Sequence, residues 1–131
     1  MHEAGLVKTL LQQVTEIARN HRSPRILEIH VEAGPLSGIE PCLLQSAYER
    51  EVAAFVEQPG ACDIDFSTAQ LAIDKVPLEA TCDRCGVHFE IKGADFSCHK
   101  CGSNAVRVLR GDALRLMTVT LEDREEIRDI P

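Results

Sequence analysis

The chain has 131 residues, 44% of them apolar, which suffices for one packed domain with a small appended module and excludes gross disorder. A net charge of −7 and only 4% aromatic residues, with no Trp, argue against phosphate-backbone binding and base stacking, so nucleic acid is not the expected partner. No apolar stretch approaches the roughly 18 residues of a membrane helix, and the N-terminus lacks the basic-then-apolar pattern of a secretory signal. The six cysteines therefore read as thiols or metal ligands of a cytoplasmic protein rather than as disulfides.

Between Glu3 and Asn20 the apolar residues Val7, Leu10, Leu11, Val14, Ile17 and Ala18 recur with the period of one helical face, while Lys8, Gln12, Thr15 and Arg19 are assigned to the other. Pro24 ends the pattern, because the residue before a proline avoids the helical region. From Ile26 to Ala33 the period changes to two. Leu27, Ile29, Val31 and Ala33 alternate with Glu28, His30 and Glu32, which predicts a strand with one wet face. The loop GPLSG leads to Pro41, suited to the first position of a second helix, with Glu40 at or just before its cap. Leu44, Ala47, Tyr48, Val52 and Phe55 form the buried stripe of that helix, and Gln58-Pro59-Gly60 closes it.

Residues 61–70 fit a strand or a loop equally well. A second strand is expected over 71–76, a cysteine-rich segment over 82–101 and a third strand over 114–121, and the charged tail EDREEIRDIP is expected to be solvated. The predicted fold class is α+β: two helices packed on a three-stranded sheet, with an inserted zinc-ribbon module bearing two CxxC knuckles. The boundaries that follow are residues 1–76 with 112–131 for the α+β domain and 77–111 for the insertion.

The insertion carries the strongest chemical signal. CDRCG is followed, after the twelve residues 86–97, by CHKCG. Each CxxC lets two thiolates grip one ion from a tight turn, and Gly86 and Gly102 allow positive φ just past each pair. Two such turns supply four sulfurs in a tetrahedron, a donor set that suits Zn(II) and leaves no open position for catalysis. The bland alternatives are four unpaired core thiols or a redox pair, and neither explains the doubled spacing. His88 and His99 stand close enough in sequence to replace a thiol or hydrogen-bond to one, although four sulfurs suffice. Over residues 77–111 five Lys or Arg face four Asp or Glu. That margin is cancelled by a zinc–tetrathiolate centre, so the ribbon shows no basic face.

The second signal is the start, MHEAGL. Histidine is too large to permit removal of the initiator methionine, so Met1 keeps its amine. That amine, the His2 amide nitrogen and the His2 imidazole are consecutive donors that can wrap Ni(II) or Cu(II) in fused chelate rings, and Glu3 adds a carboxylate. On chemistry alone, an exposed polar cap with Glu3 complementing the helix dipole explains the same residues.

MHE at the start, an amphipathic helix, the strand ILEIHVEAG, GIEP, the two CxxC pairs and the strand after RGDALRL together resemble the HypA/HybF family of nickel metallochaperones for nickel–iron hydrogenase maturation, some of which also serve urease. The resemblance covers almost the whole chain. It implies that Met1 (through its amine), His2 and Glu3 bind nickel as transferable cargo. It implies also that Cys82, Cys85, Cys98 and Cys101 hold structural zinc, and that the chain is not an enzyme. Glu40 matches an additional carboxylate of some members, against a competing role as helix cap. The implied partners are the GTPase HypB and the hydrogenase large subunit.

The sequence departs from the family pattern in a longer stretch before the first CxxC, in His99 where Pro is common, and in Asp112 after Gly111. The added length at residues 61–68 leaves room for a segment exchanged between two chains, and so for a homo-oligomer. The competing class is a zinc-ribbon module that binds protein or nucleic acid, with MHE incidental. Of the remaining candidates, Cys42 and Cys62 read as small buried hydrophobes, His30 as a surface residue and His21 as a helix-end residue suited to the dipole. No catalytic triad order, phosphate loop or dinucleotide turn is present.

Overall fold

The computed structural model describes residues 3–57, 63–122 and 126–128. Its contacts form two compact units. The first takes the described residues up to Val31, those from Glu40 to Asp74 and those from Arg115 onward, and the second takes Glu32–Ile39 and Lys75–Leu114.

In the first unit, helix α1 spans Glu3–Asn20 and α2 spans Pro41–Val56. Strands β1 (Ile26–Ala33), β2 (Gln70–Lys75), β6 (Leu114–Leu121) and β7 (Glu126–Ile127) form a sheet in the order β2-β1-β6-β7. Helix α1 packs on α2, and Val7, Leu11 and Val14 are fully buried together with Leu44, Ile29, Val31, Val119 and Leu121. This is the predicted two-layer α+β arrangement.

Thr15 lies on the buried face of α1, one turn beyond Leu11, and its hydroxyl donates to the Leu11 carbonyl at 2.7 Å, so a polar side chain enters the core already satisfied. Ile17 is only half-buried. The stretch after α2, where both strand and loop were open, is a loop tied down at several points. Asp65 bridges Arg25 in parallel, Asp63 accepts two 2.8 Å bonds from the Arg19 guanidinium, and Ile64 and Phe66 are buried, with Phe66 edge-on to Phe55 at 5.7 Å. Arg19 holds the exposed Asp63 carboxyl below its ordinary range. Residues 58–62, including the predicted helix terminator and Cys62, lie outside the described residues. The tail is not wholly solvated: β7 pairs antiparallel with β6, placing Ile127 opposite Val119. Ile127 amid the charges gives this strand something to bury, and the sheet gains a fourth strand.

The second unit holds strands β3 (Glu79–Cys82), β4 (His88–Glu90) and β5 (Val106–Arg110), ordered β4-β3-β5 and antiparallel throughout. Leu78, Ala80 and Ile91 are its buried apolar centre, with Phe89 and Val108 packed against them. Glu32, expected on the wet face of β1, is 8% exposed. Arg110 donates to its carboxylate at 2.7 Å and 3.4 Å, and that ion pair makes the burial tolerable.

Two glycines allow the chain to cross itself within this unit. A Cβ on Gly34 would stand 2.1 Å from the Gly111 Cα, and Gly111 has φ +94 with its own missing Cβ 2.4 Å from the Pro77 carbonyl oxygen. The Leu36 amide donates to the Gly111 carbonyl at 3.1 Å across this contact. Because the clash would be with backbone, no rotamer relieves it. Gly34→Ala is expected to destabilise the chain by about 2 kcal/mol or more, read as a lowered denaturation midpoint; an unchanged midpoint would rule out this close crossing.

Candidate metal centre

Strand β3 ends on Cys82, and the chain reverses at once. The Gly86 amide donates to the Cys82 carbonyl at 2.8 Å and the Cys82 amide to the Val87 carbonyl at 2.9 Å. The second knuckle repeats this geometry without a preceding strand: the Gly102 amide donates to the Cys98 carbonyl at 2.9 Å and the Cys98 amide to the Ser103 carbonyl at 2.9 Å. Gly86 and Gly102 take φ of 78 and 75, the left-handed turn that the spacing predicts. The Asp83 amide donates to the Ala105 carbonyl at 2.8 Å, so the loop between the second knuckle and β5 pins the first knuckle.

The result is convergence of four sulfurs. The Sγ atoms of Cys82, Cys85, Cys98 and Cys101 all lie within 4.8 Å of one another. Cys82 and Cys101 approach to 3.6 Å, as do Cys85 and Cys98, so each of these close pairs joins one knuckle to the other. Among the described residues no histidine or carboxylate joins this group. His99 instead lays its ring beside Phe89, centroids 4.8 Å apart, and His88 is exposed on β4.

The sulfurs are not equivalent. The first of each knuckle is buried and accepts backbone hydrogen bonds: Cys82 from the Cys85 amide at 3.5 Å, Cys98 from the Lys100 and Cys101 amides at 3.3 and 3.4 Å. The second of each, Cys85 and Cys101, is exposed. Donated N–H groups favour thiolate over thiol. The Cys101 amide, followed by that of Lys100, brings the Cys98 thiol down to about 6, and the Cys85 amide lowers Cys82. The Ser103 amide pulls Cys101 the same way, but partial desolvation and the neighbouring sulfurs win and push it up to about 11. Four thiols this close cannot all ionise without a cation among them. The donor set, soft, tetradentate and closed, fits a thiophilic tetrahedral ion such as Zn(II).

The other candidates are scattered. Met1 and His2 lie outside the described residues. Glu3 opens α1 and is half-buried. Glu40 is the N-cap of α2, where its Oε1 accepts from the Cys42 amide at 3.3 Å. Cys42 is exposed, not a buried hydrophobe, because the second position of α2 faces solvent. His30 has a partner that the sequence did not disclose: its Nε2 lies 2.6 Å from Asp74 Oδ2 on the neighbouring strand. Only strand register brings them together.

With this geometry in view, comparison with known proteins is decisive. Residues 1–121 match the family model described as hydrogenase/urease nickel incorporation, metallochaperone, hypA.

The chain belongs to the HypA family.

The hydrogenase maturation factor HypA of Nitrosospira multiformis is 35% identical over 121 residues, covering 92% of this chain and 97% of its own. That of Campylobacter jejuni is 32% identical, covering 93% and 100%. The solution structure of the Ni metallochaperone HypA from Helicobacter pylori superposes with a TM-score of 0.64 at 27% identity, covering 92% of this chain and 97% of that one. HypA proteins are metallochaperones of hydrogenase maturation and not enzymes. Membership therefore places the chain with the maturation machinery. No helix among the described residues is long and apolar enough to cross a membrane.

Titration of the metal-free chain with Co(II) is expected to saturate with one ion and to give the intense charge-transfer absorption of a four-thiolate tetrahedral centre. Cys98→Ser should weaken that absorption and the affinity by at least 100-fold. Retention of both by the variant would show that the four sulfurs do not act as one site.

Proposed function

We propose that this chain carries Ni(II) at its N-terminus and delivers it for maturation of nickel–iron hydrogenase, and for urease where the host makes one. The Met1 amine, the His2 amide and imidazole nitrogens and the Glu3 carboxylate are the cargo ligands. Cys82, Cys85, Cys98 and Cys101 hold resident Zn(II) in the insertion at residues 77–111, and residues 1–76 with 112–131 form the nickel-binding domain. The observation that carries this reading is the closed sulfur cluster: four donors within 4.8 Å fill one tetrahedral ion, so a transferable ion needs a different site. The remaining donor-rich stretch with chelating spacing is MHE.

Zinc, once bound, supplies charge neutralisation that lets all four thiols remain ionised. The chain's own residues do the rest. Amide N–H groups orient the Cys82 and Cys98 sulfurs, and the two glycine turns aim each pair inward. At the other site the donors are consecutive atoms at the end of the chain, so a partner's ligand can replace them one bond at a time. Glu40 is a further nickel ligand in this scheme: its single 3.3 Å bond to the Cys42 amide uses one carboxylate oxygen and leaves the other available. The partners are HypB and the hydrogenase large subunit, met in the cytoplasm, whose reducing conditions keep four thiols free.

His2→Ala is expected to abolish tight nickel binding while one zinc per chain remains, and a residue added before Met1 should do the same with every native side chain kept. Isothermal titration with Ni(II) distinguishes the cases; wild-type affinity in either protein places the cargo elsewhere. Acid should release nickel before zinc, because amine, amide and imidazole nitrogens regain protons more readily than zinc-held thiolates. Simultaneous loss of both metals on lowering the pH would contradict separate donor sets.

A further inference from the structure

The inequality among the four sulfurs has a chemical consequence that a structural zinc site does not require. Cys82 and Cys98 are buried, and each accepts at least one backbone N–H. Cys85 and Cys101 are exposed, and each directly follows an exposed basic residue, Arg84 and Lys100 respectively. A thiolate that accepts hydrogen bonds and lies below the surface is a weak nucleophile; one that is exposed beside positive charge is a reactive one. With zinc bound all four sulfurs would be thiolates, so access from solvent decides which of them reacts, not the order in which the free thiols ionise. Each exposed sulfur has a buried partner 3.6 Å away on the opposite knuckle: Cys101 faces Cys82, and Cys85 faces Cys98.

We propose that Cys85 and Cys101 are peroxide-reactive thiolates, with Cys98 and Cys82 as their resolving partners, so that oxidation sews the two knuckles together and expels the zinc. This rests on the zinc assignment made above. In the first step the Cys101 sulfur attacks one oxygen of a hydroperoxide. The O–O bond breaks, the transferred oxygen keeps its own proton so that Cys101 becomes a sulfenic acid, and the departing hydroxide (or alkoxide) takes up a proton from solvent. The Cys82 thiolate then attacks the Cys101 sulfur. An S–S bond forms, the S–O bond breaks, and the departing hydroxide is protonated to water. Two thiolates have lost two electrons, the peroxide has gained them, and zinc has lost two of its four ligands. The Cys85–Cys98 pair repeats the sequence. Each intermediate has its partner within reach, so oxidation ends at a reducible disulfide instead of advancing to sulfinic acid.

The sequence is suited to the test. Arg84 and Lys100 stand between the cysteines of each knuckle, and Lys92 and Lys75 separate the knuckles from each other and from the preceding chain. Trypsin therefore places the four cysteines on four different peptides, and every possible pairing is distinguishable by mass. The zinc-loaded full chain is first assayed for metal content, then treated with hydrogen peroxide while zinc release is followed with a chromogenic chelator, and the digest is analysed by mass spectrometry. Separately, brief iodoacetamide labelling of the zinc-loaded chain reads the relative reactivity of the sulfurs without any substitution.

The expected results are release of one zinc per chain, restored by a dithiol reductant and fresh zinc, with Cys82–Cys101 and Cys85–Cys98 as the dominant disulfides. Alkylation should proceed at least ten times faster at Cys85 and Cys101 than at Cys82 and Cys98. Dominant pairing within a knuckle, equal alkylation of the four, or retention of zinc at a peroxide dose that fully oxidises the exposed Cys42 would each overturn the proposal. A chain that contains no zinc before peroxide is added would instead overturn the metal assignment on which it rests.

Discussion

Four thiols whose sulfurs all lie within 4.8 Å of one another are the constraint on which the second unit depends. Left to themselves they would repel as they ionise; amide hydrogen bonds favour the thiolate of Cys98, while desolvation and the neighbouring sulfurs push the thiol of Cys101 up to about 11. A soft cation resolves the repulsion. The apolar core of the unit is small: Leu78, Ala80 and Ile91 with Phe89 and Val108 packed against them, too little to outweigh the chain entropy of its strands and turns. Metal binding is then folding energy, and a knuckle turn that fails to aim its sulfurs costs the unit its organisation.

Around that centre the backbone is held by contacts that tolerate no side chain or that cannot be halved. The crossing of Gly34 and Gly111 leaves no room for a Cβ. The Glu32 carboxylate, buried in the second unit, is acceptable only because Arg110 reaches it at 2.7 Å, and removing either partner would strand a charge. The first unit is built on the opposite economy, an apolar seam between two helices and a sheet, with its polar intrusions satisfied locally, as Thr15 is by the Leu11 carbonyl. Two kinds of stabilising contact therefore share one chain: an apolar seam in the first unit, and close backbone crossing, a buried ion pair and clustered sulfurs in the second.

Legibility from sequence followed the range of the interactions. The bounds of α1, β1 and β6 follow from periodicity, because amphipathic burial repeats every few residues and leaves its trace in order. The CxxC pairs were legible for the same reason: a metal turn is a local object, down to its glycines. Strand β7 was hidden because two residues, Glu126 and Ile127, are too few to show a period. Thr15 and Glu32 were misplaced because residue type was taken as a guide to environment, and in each case a hydrogen-bonded partner reversed it.

What the amino-acid order determined by itself is the chemistry: which atoms can hold metal, two helices, three strands and a cysteine module inserted between two of them. What only tertiary structure decided is the pairing over distance. Arg110 with Glu32, Asp74 with His30, Gly34 against Gly111 and each exposed sulfur opposite a buried one are separated by 78, 44, 77 and at most 19 positions respectively. Such contacts depend on strand register and chain crossing, which arise only when the whole core closes, so no local pattern in the sequence can encode them.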